Sequence, residues 1–158
     1  MARRAVVLLL LLLPLALFFS GCRSGPSAKD KYKASFEKIW TELAKEQKNL
    51  DKNAVAMKND SLDTLILVGE SKGKSSQKAR EKLSKLTPPQ DLKKLHRLMI
   101  NYLDNGIQYF SEAVKIFKES EGNYSQDQLK NLQMIQKKWL TSENKVKAEM
   151  KAQGWTFQ

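Results

Sequence analysis

The sequence predicts an all-α protein whose body is an up-and-down antiparallel four-helix bundle. Two observations lead to this fold class. From about residue 30 onward, apolar residues recur at spacings of three, four and seven, which places them on one face of a helix. Residues that cap helices or form turns divide this part of the chain into four stretches joined by short loops, and four such helices pack most simply as antiparallel neighbours.

The first predicted helix runs from about Asp30 to Met57. Its apolar stripe repeats every seven residues and is widened by further side chains; the members are Tyr32, Phe36, Ile39, Trp40, Leu43, Leu50 and Met57. The segment 59–61, Asn-Asp-Ser, follows and contains residues that end one helix and cap the next.

A second helix is predicted over Ser61–Leu86, and we expect it to be weak or broken in the middle. The segment 69–77 is polar and contains Gly69 and Gly73, and glycine is unfavourable inside a helix. A short strand over Thr64–Val68 is the alternative structure for the apolar residues near its start.

The third predicted helix begins at Thr87-Pro88-Pro89-Gln90, where threonine is the expected cap and proline the first helical residue. A broad apolar stripe follows, made of Leu92, Leu95, Met99, Tyr102, Gly106, Tyr109, Ala113 and Ile116, with Leu103, Phe110, Val114 and Phe117 on its flank. A stripe of this width indicates a central helix that touches two neighbours, and Gly106 would allow one of them to cross closely.

The fourth predicted helix begins at the capping box Ser125-Gln126-Asp127-Gln128. Its stripe consists of Leu129, Leu132, Ile135, Trp139, Val146 and Met150. We expect Gly154 to end the helix in a left-handed conformation and Trp155 to fold back onto the last turn.

The N-terminal segment has the three parts of a secretory signal. Arg3 and Arg4 are positively charged, residues 5–19 form an apolar run, and the small residues Ser20 and Gly21 come next. The apolar run of about 15 residues is shorter than the roughly 20 that a membrane-spanning helix needs. Cys22, the only cysteine of the chain, follows directly, so an intramolecular disulfide is excluded.

The sequence Phe19-Ser20-Gly21-Cys22 resembles the lipobox of bacterial lipoproteins, in which leucine is preferred at the position of Phe19. The resemblance implies cleavage before Cys22, a diacylglycerol on its sulfur and a location in the bacterial cell envelope. The anchoring membrane would be the outer membrane or the outer face of the cytoplasmic membrane. The segment Pro88–His96 is similar to one in small uncharacterised bacterial lipoproteins, where it opens a central helix and implies no activity.

These boundaries divide the chain into a signal peptide at 1–21, an acylated cysteine with a short tether at 22–29, and a helical domain at 30–158. Loss of residues 1–21 removes Arg3 and Arg4, so 26 of the 28 basic residues would face 17 acidic ones, a net charge of +9. This charge favours anionic lipid headgroups, a polyanionic envelope polymer or an acidic protein as partner, whereas an exported address excludes nucleic acid. The lysines are spread along the chain, which favours a simpler interpretation as solvated helix faces.

The segment 65–75 is similar to a strand that leads into a phosphate-binding loop. The pattern of that loop requires glycine five residues before Gly73, where this chain has Val68. A side chain at that position would block the approach of the backbone to phosphate. Nucleotide binding is therefore not predicted.

His96 is the only histidine and lies on the flank of the third predicted stripe. A metal site would need further ligands, and the sequence supplies no second histidine and no free thiol besides Cys22. We expect a partly buried imidazole that bonds to a neighbouring helix or to a loop carbonyl. Catalytic residues, metal ligands and cofactors are accordingly predicted to be absent.

The expected function is that of a non-catalytic binding or accessory module, with an envelope protein or an anionic envelope surface as candidate partner. A small-molecule sensor or carrier is the alternative, with a cavity between the second and third helices lined by Tyr102, Tyr109 and Phe110. A purely structural lipoprotein and an enzyme that pairs His96 with a carboxylate are the other hypotheses. Trp155 is expected to be a core or cap residue, and the alternative is that Trp155 and Phe157 form an exposed aromatic tip that touches a partner or headgroups. The sequence leaves the oligomeric state open.

Overall fold

The computed structural model describes residues 25–56 and 61–155. The signal segment, Cys22, Met57 and Phe157 lie outside these ranges. Within them the chain forms four helices and no strand: α1 (Ala28–Ala56), α2 (Leu62–Ser84), α3 (Lys93–Ser120) and α4 (Gln126–Ala152), with a short 3-10 turn at Gln90–Leu92 before α3. The all-α class and the helical bundle predicted from the sequence are confirmed.

Side-chain contacts between the helices establish their antiparallel order. In each pair of neighbouring helices, the contacts that lie at higher residue numbers in one helix lie at lower residue numbers in the other. Such contacts are Glu42–Lys82 and Gln47–Ser76 between α1 and α2, Arg80–Asp104 and Lys118–Glu70 between α2 and α3, and Lys94–Glu149 and Asn131–Glu112 between α3 and α4. Consecutive helices are thus antiparallel neighbours, whereas α1 and α3 run in the same direction.

The core surrounds α3, because this helix buries residues toward α1, α2 and α4. Its broad stripe explains this position, as a helix with apolar residues over a wide face must be covered on more than one side. The most deeply buried large side chains are Phe36, Leu83, Leu92, Leu95, Met99, Leu103, Ile116 and Val146. Four of these eight lie within residues 92–103, so the N-terminal half of α3 is the centre of the domain.

The prediction that the second helix breaks in the middle is wrong, as is the alternative strand, because α2 is continuous. Both of its glycines face α3. A Cβ atom on Gly69 would lie 2.7 Å from Cγ2 of Val114, and one on Gly73 would lie 3.6 Å from Cβ of Phe110. The absence of side chains at these two positions lets α2 approach α3, and the packing gained outweighs the helix-propensity cost of about 0.5–1 kcal/mol per glycine.

The predicted cap of the third helix is also wrong. Thr87 does not cap it; Pro89 has extended backbone angles (φ −55°, ψ 158°), and the Leu92 N–H donates to the Pro89 carbonyl oxygen at 3.0 Å in the 3-10 turn. The helical region is disfavoured for a residue that precedes proline, which explains why Pro88 does not begin a helix. The α-helix consequently begins only at Lys93.

Both ends of α4 agree with the sequence prediction. The Ser125 hydroxyl accepts the Gln128 N–H at 3.1 Å, and the Gln128 side-chain oxygen accepts the Ser125 N–H at 2.9 Å. At the other end Gly154 is left-handed, with φ +69°, and the Trp155 N–H donates to the Met150 carbonyl oxygen at 2.9 Å. This turn directs Trp155 back over the bundle.

Substitution of the two α2 glycines provides a matched pair of stability measurements. We expect Gly69→Ala to lower the free energy of unfolding by about 1–2 kcal/mol, because the β-branched Val114 has little freedom to move away from the new methyl group. Gly73→Ala should be neutral or stabilising by up to about 1 kcal/mol, because its methyl group makes an ordinary contact. Denaturant unfolding of both variants measures the difference, and equal effects would contradict the close approach at Gly69.

Candidate functional site

An aromatic cluster joins α1, α3 and α4 and contains two of the residues selected from the sequence. The Tyr102 ring lies 5.8 Å from that of Trp40 and 6.1 Å from that of Trp139, between ring centroids. The Tyr109 ring stacks on Trp139 at 5.3 Å. Burial raises the pKa of Tyr102 to about 12 and also raises that of Tyr109, so both phenols are neutral near physiological pH. Tyr102 is only 6% exposed, and we assign it a packing role.

Gly106 lies under the indole of Trp139 in this cluster. A Cβ atom on Gly106 would be 3.0 Å from the Trp139 Nε1 atom, which is closer than an ordinary contact. The close crossing expected at Gly106 is thus confirmed, and the helix that crosses there is α4.

His96 bonds to α1, which is one of the two alternatives predicted from the sequence, a neighbouring helix or a loop carbonyl. Its Nδ1 atom lies 2.9 Å from the Tyr32 hydroxyl, and the imidazole is half-buried beside the tyrosine ring. Burial lowers the pKa of His96 below its ordinary value, so the ring is neutral at pH 7 and can accept the phenol proton. The enzyme hypothesis placed a carboxylate beside this histidine, whereas its hydrogen-bond partner in the structure is a phenol.

Trp155 does not form an exposed aromatic tip, which corrects that alternative for this residue. Its side chain is 4% exposed and meets the Phe36 ring edge-to-face at 5.6 Å. The Nζ atom of Lys33 lies 5.7 Å from the centroid of the indole ring. The left-handed turn at Gly154 is the cause, because it directs the chain back toward α1.

The predicted cavity for a small ligand is not formed as expected. A groove of about 420 Å³ does lie between α2 and α3, bordered by Gly69, Gly73 and Phe110. Tyr102 and Tyr109 do not line it, because they belong to the aromatic cluster on the other side of α3. Tyr102 instead borders a separate groove of about 290 Å³ between α1 and α4.

A larger groove, of about 600 Å³, lies between α3 and α4, and sequence reasoning did not identify it. Six residues define its character: Asn101 and Asn105 of α3 and Met134, Lys137, Lys138 and Lys145 of α4. The α4 residues that line the groove recur at helical spacing in the sequence, which indicates that they share one face of the helix. That this face adjoins the Asn101 and Asn105 side of α3 depends on the fold and could not be seen in the sequence.

The α3–α4 groove is positively charged and partly apolar. Within residues 25–56 and 61–155, no carboxylate forms an ion pair with Lys137, Lys138 or Lys145. Asp104 also lines the groove, but its carboxylate is paired with Arg80 of α2. Met134 is 65% exposed at the rim. Such a surface can bind carboxylate or phosphate oxygens next to an apolar group.

The burial of His96 predicts a pH dependence of stability in the range from neutral pH down to below the ordinary histidine pKa of about 6.5. In the folded protein the pKa of His96 is below its ordinary value of 6.5. As the pH falls through 6.5, the unfolded chain therefore binds more protons than the folded chain does. The stability contribution of the neutral ring is therefore complete above about pH 6.5 and is lost as the pH falls toward the folded pKa.

Denaturant unfolding across this pH range should give a free energy of unfolding that falls with pH in the wild type and falls less steeply in His96→Gln. Tyr32→Phe is the control, since it retains the titrating ring while losing a hydrogen bond worth about 1 kcal/mol. If the free energy of unfolding depends on pH equally steeply in His96→Gln, the pH dependence does not originate from His96.

The described part of the chain contains no group of three or more histidine, cysteine, aspartate or glutamate side chains placed to hold a metal ion. Among its helices, none combines the length and the apolar character needed to cross a membrane. No protein-family model matches the chain, and neither a curated protein nor a solved structure matches it.

Proposed function

We propose that this protein is a lipid-anchored binding module of the bacterial cell envelope and that it has no catalytic role. Its binding surface would be the α3–α4 groove, and its partner an acidic segment of another envelope protein. The observation that carries this proposal is the row of three lysines without ion pairs along an open, partly apolar groove.

The dimensions of the groove suit a segment of polypeptide. Lys137 and Lys145 are eight residues apart on α4, or about 12 Å along the helix axis. A partner segment with two or three carboxylates over that distance would meet all three lysines, and apolar side chains at its two ends would contact Leu98 and Met134 respectively. Charge complementarity of this kind mainly accelerates association and selects the partner.

Anchoring would restrict where such a partner is met. Two acyl chains are enough for stable membrane attachment, since each buried methylene contributes about 0.8 kcal/mol. The described chain begins at Gly25, three residues after Cys22, so the bundle would stay next to its membrane. The mechanism proposed is thus positional, because the anchor raises the local concentration of the groove near envelope proteins. A small-molecule carrier and a purely structural lipoprotein are the alternatives.

The anchoring part of the proposal is tested by Cys22→Ala. We expect the wild type to stay with the membrane fraction after a high-salt wash, because acyl insertion does not depend on charge. The variant should lose the acyl-dependent mass, measured by mass spectrometry of the intact protein. An unmodified Cys22 in wild-type protein taken from membranes would contradict the proposal.

The groove part is tested by photo-crosslinking in cells. A crosslinking residue at Met134 should capture a discrete protein, whereas the same residue at Leu67, which is 54% exposed on α2, should not. Replacement of Lys137, Lys138 and Lys145 by glutamine should reduce the Met134 adduct roughly tenfold, because each exposed charge contact contributes about 0.5 kcal/mol.

The matched control replaces Lys45, Lys52 and Lys115, three exposed lysines outside this groove, by glutamine. It changes the net charge equally and should leave the adduct intact. Equal loss in both triple variants would mean that only overall charge matters and would contradict a specific groove. A bound small molecule lost from the groove variant alone would favour the carrier hypothesis instead.

A further inference from the structure

The charges of the bundle are unevenly distributed along its axis. We define the tether end as residues 25–36, 85–100 and 145–155, which the Tyr32–His96, Lys94–Glu149 and Phe36–Trp155 contacts bring together. This end has ten basic residues and three acidic ones, a net charge of +7; the basic residues are Lys29, Lys31, Lys33, Lys85, Lys93, Lys94, Arg97, Lys145, Lys147 and Lys151.

The opposite end has the reverse balance. Residues 50–56, 61–73 and 110–135 contain five basic and seven acidic residues, a net charge of −2. The described residues between the two ends carry +3, so the charge falls steadily from one end of the bundle to the other. The even spread of lysine along the sequence is therefore not matched by an even spread of net charge in space.

Much of the positive charge at the tether end is available to an external partner. Lys29 and Lys94 are paired with Asp91 and Glu149, and Lys147 with Glu143. Six other cations form no ion pair within the described ranges and are exposed; they are Lys31, Lys85, Lys93, Arg97, Lys151 and Lys145, the last of which also lines the α3–α4 groove.

The position of this end follows from the chain that precedes it. Five residues, 23–27, separate Cys22 from the start of α1, and they reach at most about 17 Å when extended. If Cys22 is acylated, as the proposed function requires, the tether end is the end that faces the bilayer. Because this is the longest reach of the tether, any less extended conformation brings the tether end closer to the headgroups, and within a Debye length of about 8 Å its charges are attracted to them.

We propose that the tether end binds the phosphates of anionic lipid headgroups and thereby holds the bundle upright on the membrane. The phosphate groups would be contacted by the exposed cations of this end that have no ion pair. The opposite end, with its net negative charge, would be repelled by the same surface. This inference rests on the proposed lipid anchor and adds the lipid class and the orientation to it.

The test is lysine labelling of the full mature protein in bilayers, read residue by residue by mass spectrometry. The bilayers are phosphatidylcholine alone or phosphatidylcholine with phosphatidylglycerol. We expect labelling of Lys31, Lys85, Lys93 and Lys151 to fall at least roughly fivefold on the anionic bilayer relative to the neutral one. Labelling of Lys52 and Lys115 should be the same on both, and high salt should remove the difference.

A pair of variants separates a defined surface from overall charge. Replacement of Lys31, Lys85, Lys93 and Lys151 by glutamine should abolish the protection of Lys145, the exposed lysine without an ion pair that remains at the tether end. Replacement of Lys45, Lys48, Lys52 and Lys115 removes the same charge and should leave that protection unchanged. Circular dichroism of both variants verifies that they fold.

Two results would overturn the inference: equal labelling on the two bilayers, or protection distributed equally over both ends of the bundle. Protection on the neutral bilayer by added inorganic phosphate would assign the cations to free phosphate and would likewise overturn a lipid contact. Failure of the anchor itself is recognised separately, because the protein would then not float with neutral bilayers before any label is added.

Discussion

The positions of α2 and α4 depend on their contacts with α3, and both contacts are close because a glycine stands at the crossing. Gly69 admits Val114 of α3 against α2, and Gly106 of α3 admits the Trp139 indole of α4. Backbones that approach closely bury more surface per residue, and the side chains around them interlock. The tight contacts on two sides of α3 leave α1 to complete the core from a third side, with Phe36 and Leu43.

The parts of this fold that could be predicted from sequence are those encoded locally. The capping box at Ser125 and the turn at Gly154 need only residues a few positions apart, and both are formed as expected. The continuity of α2 could not be predicted in this way. The cost of Gly69 and Gly73 is local, but the compensating contacts come from Val114 and Phe110, about forty residues further along the chain. The start of α3 was misplaced for a local reason, because the second of two prolines restricts the first.

The candidate site shows the same division between local and distant information. The partial burial of His96 followed from its place on the flank of a stripe, but the choice between a helix and a loop carbonyl as its partner needed the fold, which supplies Tyr32 of the first predicted stripe. Tyr102 and Tyr109 were selected as cavity residues, yet both pack against Trp139, since ring stacking depends on which helices adjoin. The lysines of the groove and of the tether end were present in the sequence, but antiparallel packing is what gathers distant segments at one end.

The stacked rings around Trp139 also give the domain an optical signature. Tyr102, Tyr109 and Phe110 have ring centroids within 6.1 Å of that of Trp139, a distance at which aromatic transitions couple. Near-ultraviolet circular dichroism arises from such fixed aromatic surroundings, whereas far-ultraviolet bands report the helices themselves. A state in which α4 separates from α3 while both remain helical would therefore be visible as the loss of one signal without the other. The aromatic cluster makes the tertiary contact and the secondary structure of this bundle separately observable in solution.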